Sequence, residues 1–215
     1  MISGTAYGVI LNDQRQRERL GSALEEAPYK KPPVAPVLYI KPRNCFASSG
    51  STVAVPAGLD AVEVAATLGL LFRRDLSAGD PPPGSAIGSA CLAVDVSEPT
   101  ASFYRPMLIE RCRDGFLPLG GQGLVPQNVS GLELSTSIDG QIVHRWTLDS
   151  LVRNVPLLLR DVSDFMTLSA GDLLLIGLPG DAPVARAGQR VTVEAGGLPT
   201  LSFGLQEESL QGAAA

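Results

Sequence analysis

Two carboxylates sit where carboxylates are costly. Glu63 lies in AVEVAA and Asp95 in LAVDVS, each flanked by apolar, strand-forming residues. A buried charge needs a counter-charge, a full set of hydrogen bonds or a metal ion. The pair is therefore a candidate site for a hard cation with oxygen ligands. The alternative for each is an acid near a strand end that reaches solvent or caps a backbone amide. A second concentration of charge is FYRPMLIERCRDGF (103–116), which holds Arg105, Arg111 and Arg113 with Glu110 and Asp114. Arginine's planar fork suits carboxylate recognition. The alternative there is a solvated turn of mutual ion pairs.

Other chemistries are poorly supplied. His144 is the single histidine, and no GxSxG accompanies it, so a serine triad is disfavoured and a residue on a hairpin surface is expected. No His/Cys spacing suits zinc. PLGGQG (118–123) lacks both the P-loop lysine and the dinucleotide-binding spacing. The chain has 215 residues, 17 basic and 22 acidic, for a net charge of −5. No basic run forms a phosphate footprint, so no nucleic-acid partner is expected. No stretch reaches the roughly 18 apolar residues of a membrane span. MISGTAYGVILNDQ lacks a secretory pattern. Cys45, Cys91 and Cys112 read as reduced thiols, which places the expected setting in the cytoplasm.

The elements that must position these residues are mostly short strands. Gly (23) and Pro (17) are abundant enough to argue against a helical bundle. TAYGVIL (5–11) reads as a strand, followed by a helix over 14–27 capped by Asn12 or Asp13. PYKKPPVAP (28–36) is an extended connector. VLYIK (37–41), VAV (53–55) and SACLAVDVS (89–97) read as strands, with DPPPG (80–84) a rigid turn; the β-branched content of 61–72 favours a strand, although its periodicity alone also allows a helix. LELSTSI and QIVHRW flank Asp139-Gly140, a type I′ hairpin signal. A helix over 150–166, capped by Thr147 or Asp149, has Pro156 in its pattern, which should kink or split it, at a cost of about 3 kcal/mol if truly interior. SAGD (169–172) turns into a strand at 173–177, and RVTVEA (190–195) alternates cleanly. The expectation is a β-rich α+β fold with two main helices. One domain would span 1–205, with a frayed polar tail over 206–215.

Several segments, in order, resemble the fumarylacetoacetate hydrolase family: VILND (9–13), YKKPP…YIKPRN (29–44), VDVSEPTASFYRP (94–106), CRDGFLPLG (112–120) and SAGDLLLIGLPG (169–180). The likeness spans roughly 5–195. It is nearest to the first half of the two-part enzymes of homoprotocatechuate (4-hydroxyphenylacetate) breakdown. The resemblance implies layered β-sheets with a β-grasp-like element. It also implies pairing with a homologous second subunit, or as a homodimer. The implied substrate is a small 2-oxo di- or tricarboxylate. The implied reaction is decarboxylation of 5-carboxymethyl-2-oxo-hex-3-ene-1,7-dioate to 2-hydroxyhepta-2,4-diene-1,7-dioate, with isomerisation by the partner.

The resemblance further implies Mg²⁺ or another divalent cation, held by a Glu-x-Glu pair and a later Asp. Asp95 matches the Asp and Glu63 the second Glu, whereas the first falls on Ala61, which cannot ligate. The family's lysine falls on Arg111, its histidine on Gln16 and its threonine on Leu178, and Val94 replaces the usual Asn before Asp95. Asp95 and Arg111 are thus the implied catalytic pair, and Tyr104, Arg105 and Arg111 the implied substrate contacts. A non-catalytic structural partner of a metal-binding second subunit is the alternative, as is another 2-oxo-acid lyase or hydrolase of the family.

Overall fold

The computed structural model describes residues 2–80, 83–100, 103–105 and 107–208. In chain order the elements are β1 (Ala6–Ile10), α1 (Gln14–Leu20), β2 (Val37–Lys41), β3 (Phe46–Ser48), β4 (Thr52–Val55), β5 (Val62–Phe72) and β6 (Ile87–Ser97). Then follow α2 (Leu108–Arg111), β7 (Leu117–Leu119), β8 (Glu133–Ile138), β9 (Gln141–Thr147) and α3 (Val155–Ser163). The last are β10 (Leu173–Leu175), β11 (Val184–Ala185), β12 (Arg190–Ala195) and β13 (Leu201–Glu207).

One mixed sheet runs β2-β1-β10-β5-β6-β7-β3, with β11 also paired to β5. A second runs β4-β13-β12-β8-β9. The first sheet has to curl. Its seven-strand path ends on β2 and β3, and six gaps of about 4.8 Å would hold those ends roughly 29 Å apart if it were flat. Yet the chain passes from Lys41 to Phe46 directly, and five residues span at most about 18 Å.

The two faces of that sheet differ in kind. Val62, Val64, Leu68, Leu70 and Phe72 of β5, with Leu92, Val94 and Val96 of β6, pack toward the second sheet and α3 in the main core. The other face mixes small residues, Ala6 of β1, Cys91 and Ala93 of β6 and Ala65 of β5, with larger ones such as Ile10, Leu173 and Leu175. The small side chains leave room for the curl.

The sequence periods place most of the longer strands, miss β3, β7, β11 and β13, and set two helix limits poorly. Gly21, at φ 47°, ends α1, and 21–24 continues as a 3₁₀ turn, so the expected helix over 14–27 is half that length. Asp13 stands at the N-cap but makes no side-chain cap bond; its Oδ2 accepts from Gly180 N at 2.8 Å instead. Pro156 does not kink a long helix. It lies in the first turn of α3, where a missing N–H costs nothing, and Asn154, not Thr147 or Asp149, caps the helix by accepting from Leu157 N. Asp139 (φ 50°) and Gly140 (φ 81°) form the expected hairpin turn. β13 runs through Glu207 in parallel pairing with β4, so 206 and 207 belong to the sheet and not to a frayed tail. The turn expected at 80–84 includes 81–82, and the tail includes 209–215; both sets lie outside the described residues. Among the described residues, no helix is long and apolar enough to cross a membrane.

Candidate active site

Asp95 faces into the curl, together with Glu63 and Ser97, because the three fall on one face of the β5–β6 ladder. Ala65 pairs with Asp95, and Glu63 with Ser97. The two sequence-predicted carboxylates are therefore neighbours. Lys41 reaches the same place from β2, four strands away in the sheet order. Flat, that separation would be roughly 19 Å; curled, Lys41 Nζ lies 3.1 Å from Asp95 Oδ1. Arg111, at the end of the one-turn α2, donates from Nη1 to the same oxygen at 2.8 Å. The Tyr39 hydroxyl donates to Asp95 Oδ2.

Each contact has a local cause. Tyr39 pairs with Gly8, and a Cβ on Gly8 would fall 2.1 Å from the Tyr39 ring, so only glycine lets that ring lie across β1 toward Asp95. The Arg111 guanidinium stacks 5.5 Å from the Tyr39 ring centre. Lys41 also donates to the carbonyls of Val96 (3.0 Å), Arg111 (2.6 Å) and Phe116 (2.9 Å). Three donors exist only on the ammonium form. One lysine thus fixes the backbone of Arg111 and neutralises the acid that Arg111 grips.

The electrostatics follow from burial. Lys41, Asp95 and Arg111 are 1%, 0% and 3% exposed, so almost no water screens them. Burial pulls the Lys41 ammonium below its ordinary range, opposed by Asp95 and assisted by Arg111. Burial also works against the charge of Arg111, but Asp95, Tyr39 and Glu63 outweigh it and hold the guanidinium above its usual value. Burial pushes the Tyr39 phenol well up, and Asp95 adds to that, so it stays a neutral donor. Glu63 is raised by burial first, partly countered by Arg111.

Above this cluster is a cavity of about 400 Å³, lined by Ile10, Tyr39, Phe103, Tyr104, Arg105 and Arg111 among others. Tyr104, Arg105 and Arg111 all line this cavity. Arg105 is exposed and makes no ion pair among the described residues. Tyr104 meets Tyr29 edge-to-face at 5.9 Å. Glu63 lies beside Asp95 on the sheet and not in the cavity lining. Two buried donors in this region lack any hydrogen-bond partner: Arg111 Nε and Ser97 Oγ. Arg113 pairs with Glu98, outside the 103–116 span, and Arg111 is buried, so the expected alternative of a solvated turn of mutual ion pairs does not describe these two. His144 Nε2 meets Asp181 at 3.0 Å, away from the cavity, as a hairpin residue.

The residues present do not fit a divalent cation. Among the described residues no three His, Cys, Asp or Glu side chains gather as a ligand set. Both oxygens of Asp95 already accept a hydrogen bond, one from Tyr39 and one from Arg111, and Lys41 adds an ion pair. A metal at Glu63 and Asp95 would lie against Lys41 and Arg111. Of the expected metal pair, which is adjacent, Asp95 is already engaged by Tyr39, Arg111 and Lys41. Lys41 and Tyr39 were not singled out from the sequence, although both stand in the YIKPRN segment that carries the family resemblance.

The protein is thus a curled mixed sheet packed on a second sheet, with a small acid-and-arginine pocket beside the curl. The description "Fumarylacetoacetate (FAA) hydrolase C-terminal" matches residues 5–206, and the chain belongs to that family. It is 34% identical over 207 residues to the 4-hydroxyphenylacetate degradation bifunctional isomerase/decarboxylase of Escherichia coli, covering 96% of this chain and 48% of the relative. Against the protein of the same description from Salmonella dublin it is 36% identical over 203 residues, covering 93% and 46%. The chain thus spans about half the length of these curated relatives. Among solved structures, 5-carboxymethyl-2-hydroxymuconate delta-isomerase from Mycobacterium smegmatis superposes with a TM-score of 0.77 at 22% identity, covering 97% of this chain and 78% of that one. Fumarylpyruvate hydrolase from Pseudomonas aeruginosa, solved with Mn²⁺ and pyruvate, gives 0.78 at 20% identity, covering 95% and 90%. These two likenesses concern the fold.

Proposed function

We propose that this chain is one half of a two-half enzyme of homoprotocatechuate breakdown, acting on 5-carboxymethyl-2-oxo-hex-3-ene-1,7-dioate. A homologous second subunit, or a second copy of this chain, supplies the other half. Three free thiols support a cytoplasmic setting. The observation that carries the reading is Arg111. It is a guanidinium fixed by a buried carboxylate in the wall of a cavity that suits a small acid, with one N–H still unpartnered.

The chemistry asked of such a site is modest. In decarboxylation the bond from C5 to its carboxylate breaks and CO₂ leaves. The electron pair moves through the double bond onto the 2-oxo oxygen, which takes a proton to give the 2-hydroxy diene. Charge develops on that oxygen, and a preorganised cationic donor in a dry site lowers the barrier there. Arg111 is this chain's donor of that kind. Arg105 at the rim suits a second carboxylate of the same substrate, and Phe103 with Ile10 gives the carbon chain an apolar wall. Isomerisation needs a group to abstract and return a proton; Gln16, at the position of the family's histidine, cannot serve, which favours a homologous second subunit over a second copy of this chain for that step.

A second reading is favoured by the failed metal fit: a structural partner that shapes a metal-binding second subunit. The two separate in one assay. The complex of this chain with its homologous half is followed by ultraviolet loss of the tricarboxylate and by CO₂ release, with Arg111→Met introduced in this chain alone. Loss of CO₂ release with assembly intact supports the enzymatic reading. Undiminished turnover supports the structural one.

A further inference from the structure

We infer that in this chain the fixed cations Lys41 and Arg111 stand in for a divalent metal, so that the pocket binds a 2-oxo carboxylate anion without any metal ion. The inference rests on the carboxylate-binding reading above and adds to it what supplies the positive charge.

Asp95 faces two cationic groups, Lys41 at 3.1 Å and Arg111 at 2.8 Å. Glu63 also acts on Arg111, so the formal charges of the four side chains balance. The unused donors point to an anion. Arg111 Nε and Ser97 Oγ are buried without a partner, and both can donate a hydrogen bond. A metal ion needs acceptors, and Asp95 has no free oxygen to offer. An anion needs donors, and here two remain. Ala61 completes the pattern: where a third carboxylate would be needed to hold a cation, the side chain is a methyl group.

The design is also rigid. Lys41 is held by three carbonyls from three different segments, including that of Arg111 itself. The cations cannot swing away to admit a metal without opening the sheet. A site of this kind has its charge built in, whatever the metal supply.

The test uses the full 215-residue chain and oxalate, a compact mimic of a 2-oxo acid, in titration calorimetry with excess chelator. Mn²⁺ binding is measured separately by electron paramagnetic resonance. The expected result is oxalate binding retained in chelator, no loss of the free Mn²⁺ signal, and oxalate binding lost in Arg111→Met. Arg105→Ala, on the surface, guards against misfolding of that variant and should weaken the same heat. Ala61→Glu, which restores the third carboxylate, should still fail to take up Mn²⁺. Oxalate binding only after Mg²⁺ or Mn²⁺ is added, or Mn²⁺ uptake by Ala61→Glu, would overturn the inference and leave the carboxylate reading standing. No oxalate binding under any condition would remove both.

Discussion

Lys41 Nζ and Asp95 Oδ1 stand 3.1 Å apart, and solvent reaches neither side chain. Lys41 comes from the outermost strand of the curled sheet and Asp95 from a central one. Their contact holds the curl closed, and Arg111 is fixed to both.

Removing one side of a buried charge set leaves the others unpaired. Asp95→Asn keeps the shape but deprives Lys41 and Arg111 of their counter-charge. The expected loss of stability is about 3–5 kcal/mol, read by urea denaturation. A loss no larger than that of an ordinary surface change would mean that the cluster is not closed to water.

Gly8 is the opening through which Tyr39 passes. Gly8→Ala places a methyl group inside the Tyr39 ring's space. Overpacking of this kind costs about 1–3 kcal/mol. The phenol should also leave Asp95, a change visible in the tyrosine ultraviolet difference spectrum. An unchanged spectrum would show that the ring has another resting place.

Glu63 sets a dependence on pH. It faces Arg111, Asp95 and Arg19, and burial raises its folded value above that of the unfolded chain. A carboxyl raised in this way favours folding fully below its unfolded value and loses that contribution as pH rises through the folded one. Glu63→Gln should therefore raise the melting temperature more at about pH 7.5 than at about pH 4.5. A larger gain in acid would contradict the sign.

Arg105 is exposed, so its contribution is screened. Arg105→Ala should weaken oxalate binding by about 1 kcal/mol at most while changing stability by less than about 0.5 kcal/mol. Unchanged binding would take Arg105 out of the recognition of carboxylate.

Much of the fold was legible in the sequence because its strands alternate or run apolar, and Asp139-Gly140 names its own turn. The helix limits were less so. Gly21 and Pro156 each fit two readings, and only tertiary pairing selects the shorter helix. In the candidate site, Glu63 and Asp95 stood out as charges in apolar strands, and Tyr104, Arg105 and Arg111 through a motif. Lys41 did not, for a physical reason. At the end of a short strand it reads as an ordinary exposed residue. Its acceptors at Asp95, Val96, Arg111 and Phe116 lie 54 to 75 positions away and meet it only when the sheet curls.

β1 is flanked by β2 on one side and by β10 on the other, with Ala6 opposite both Lys41 and Leu173. β1 therefore waits for β10, which lies far along the sequence. Until Leu173–Leu175 arrives, β1 and its hairpin-like partner β2 have an open edge and no route into the main sheet. Non-local pairing of this kind slows folding and leaves edges exposed to other chains meanwhile. The same wiring makes the pocket all-or-none. Lys41 can reach Asp95 only after both β1 and β10 are in place, so a nascent or truncated chain would have the arginine but not the geometry that gives it purpose.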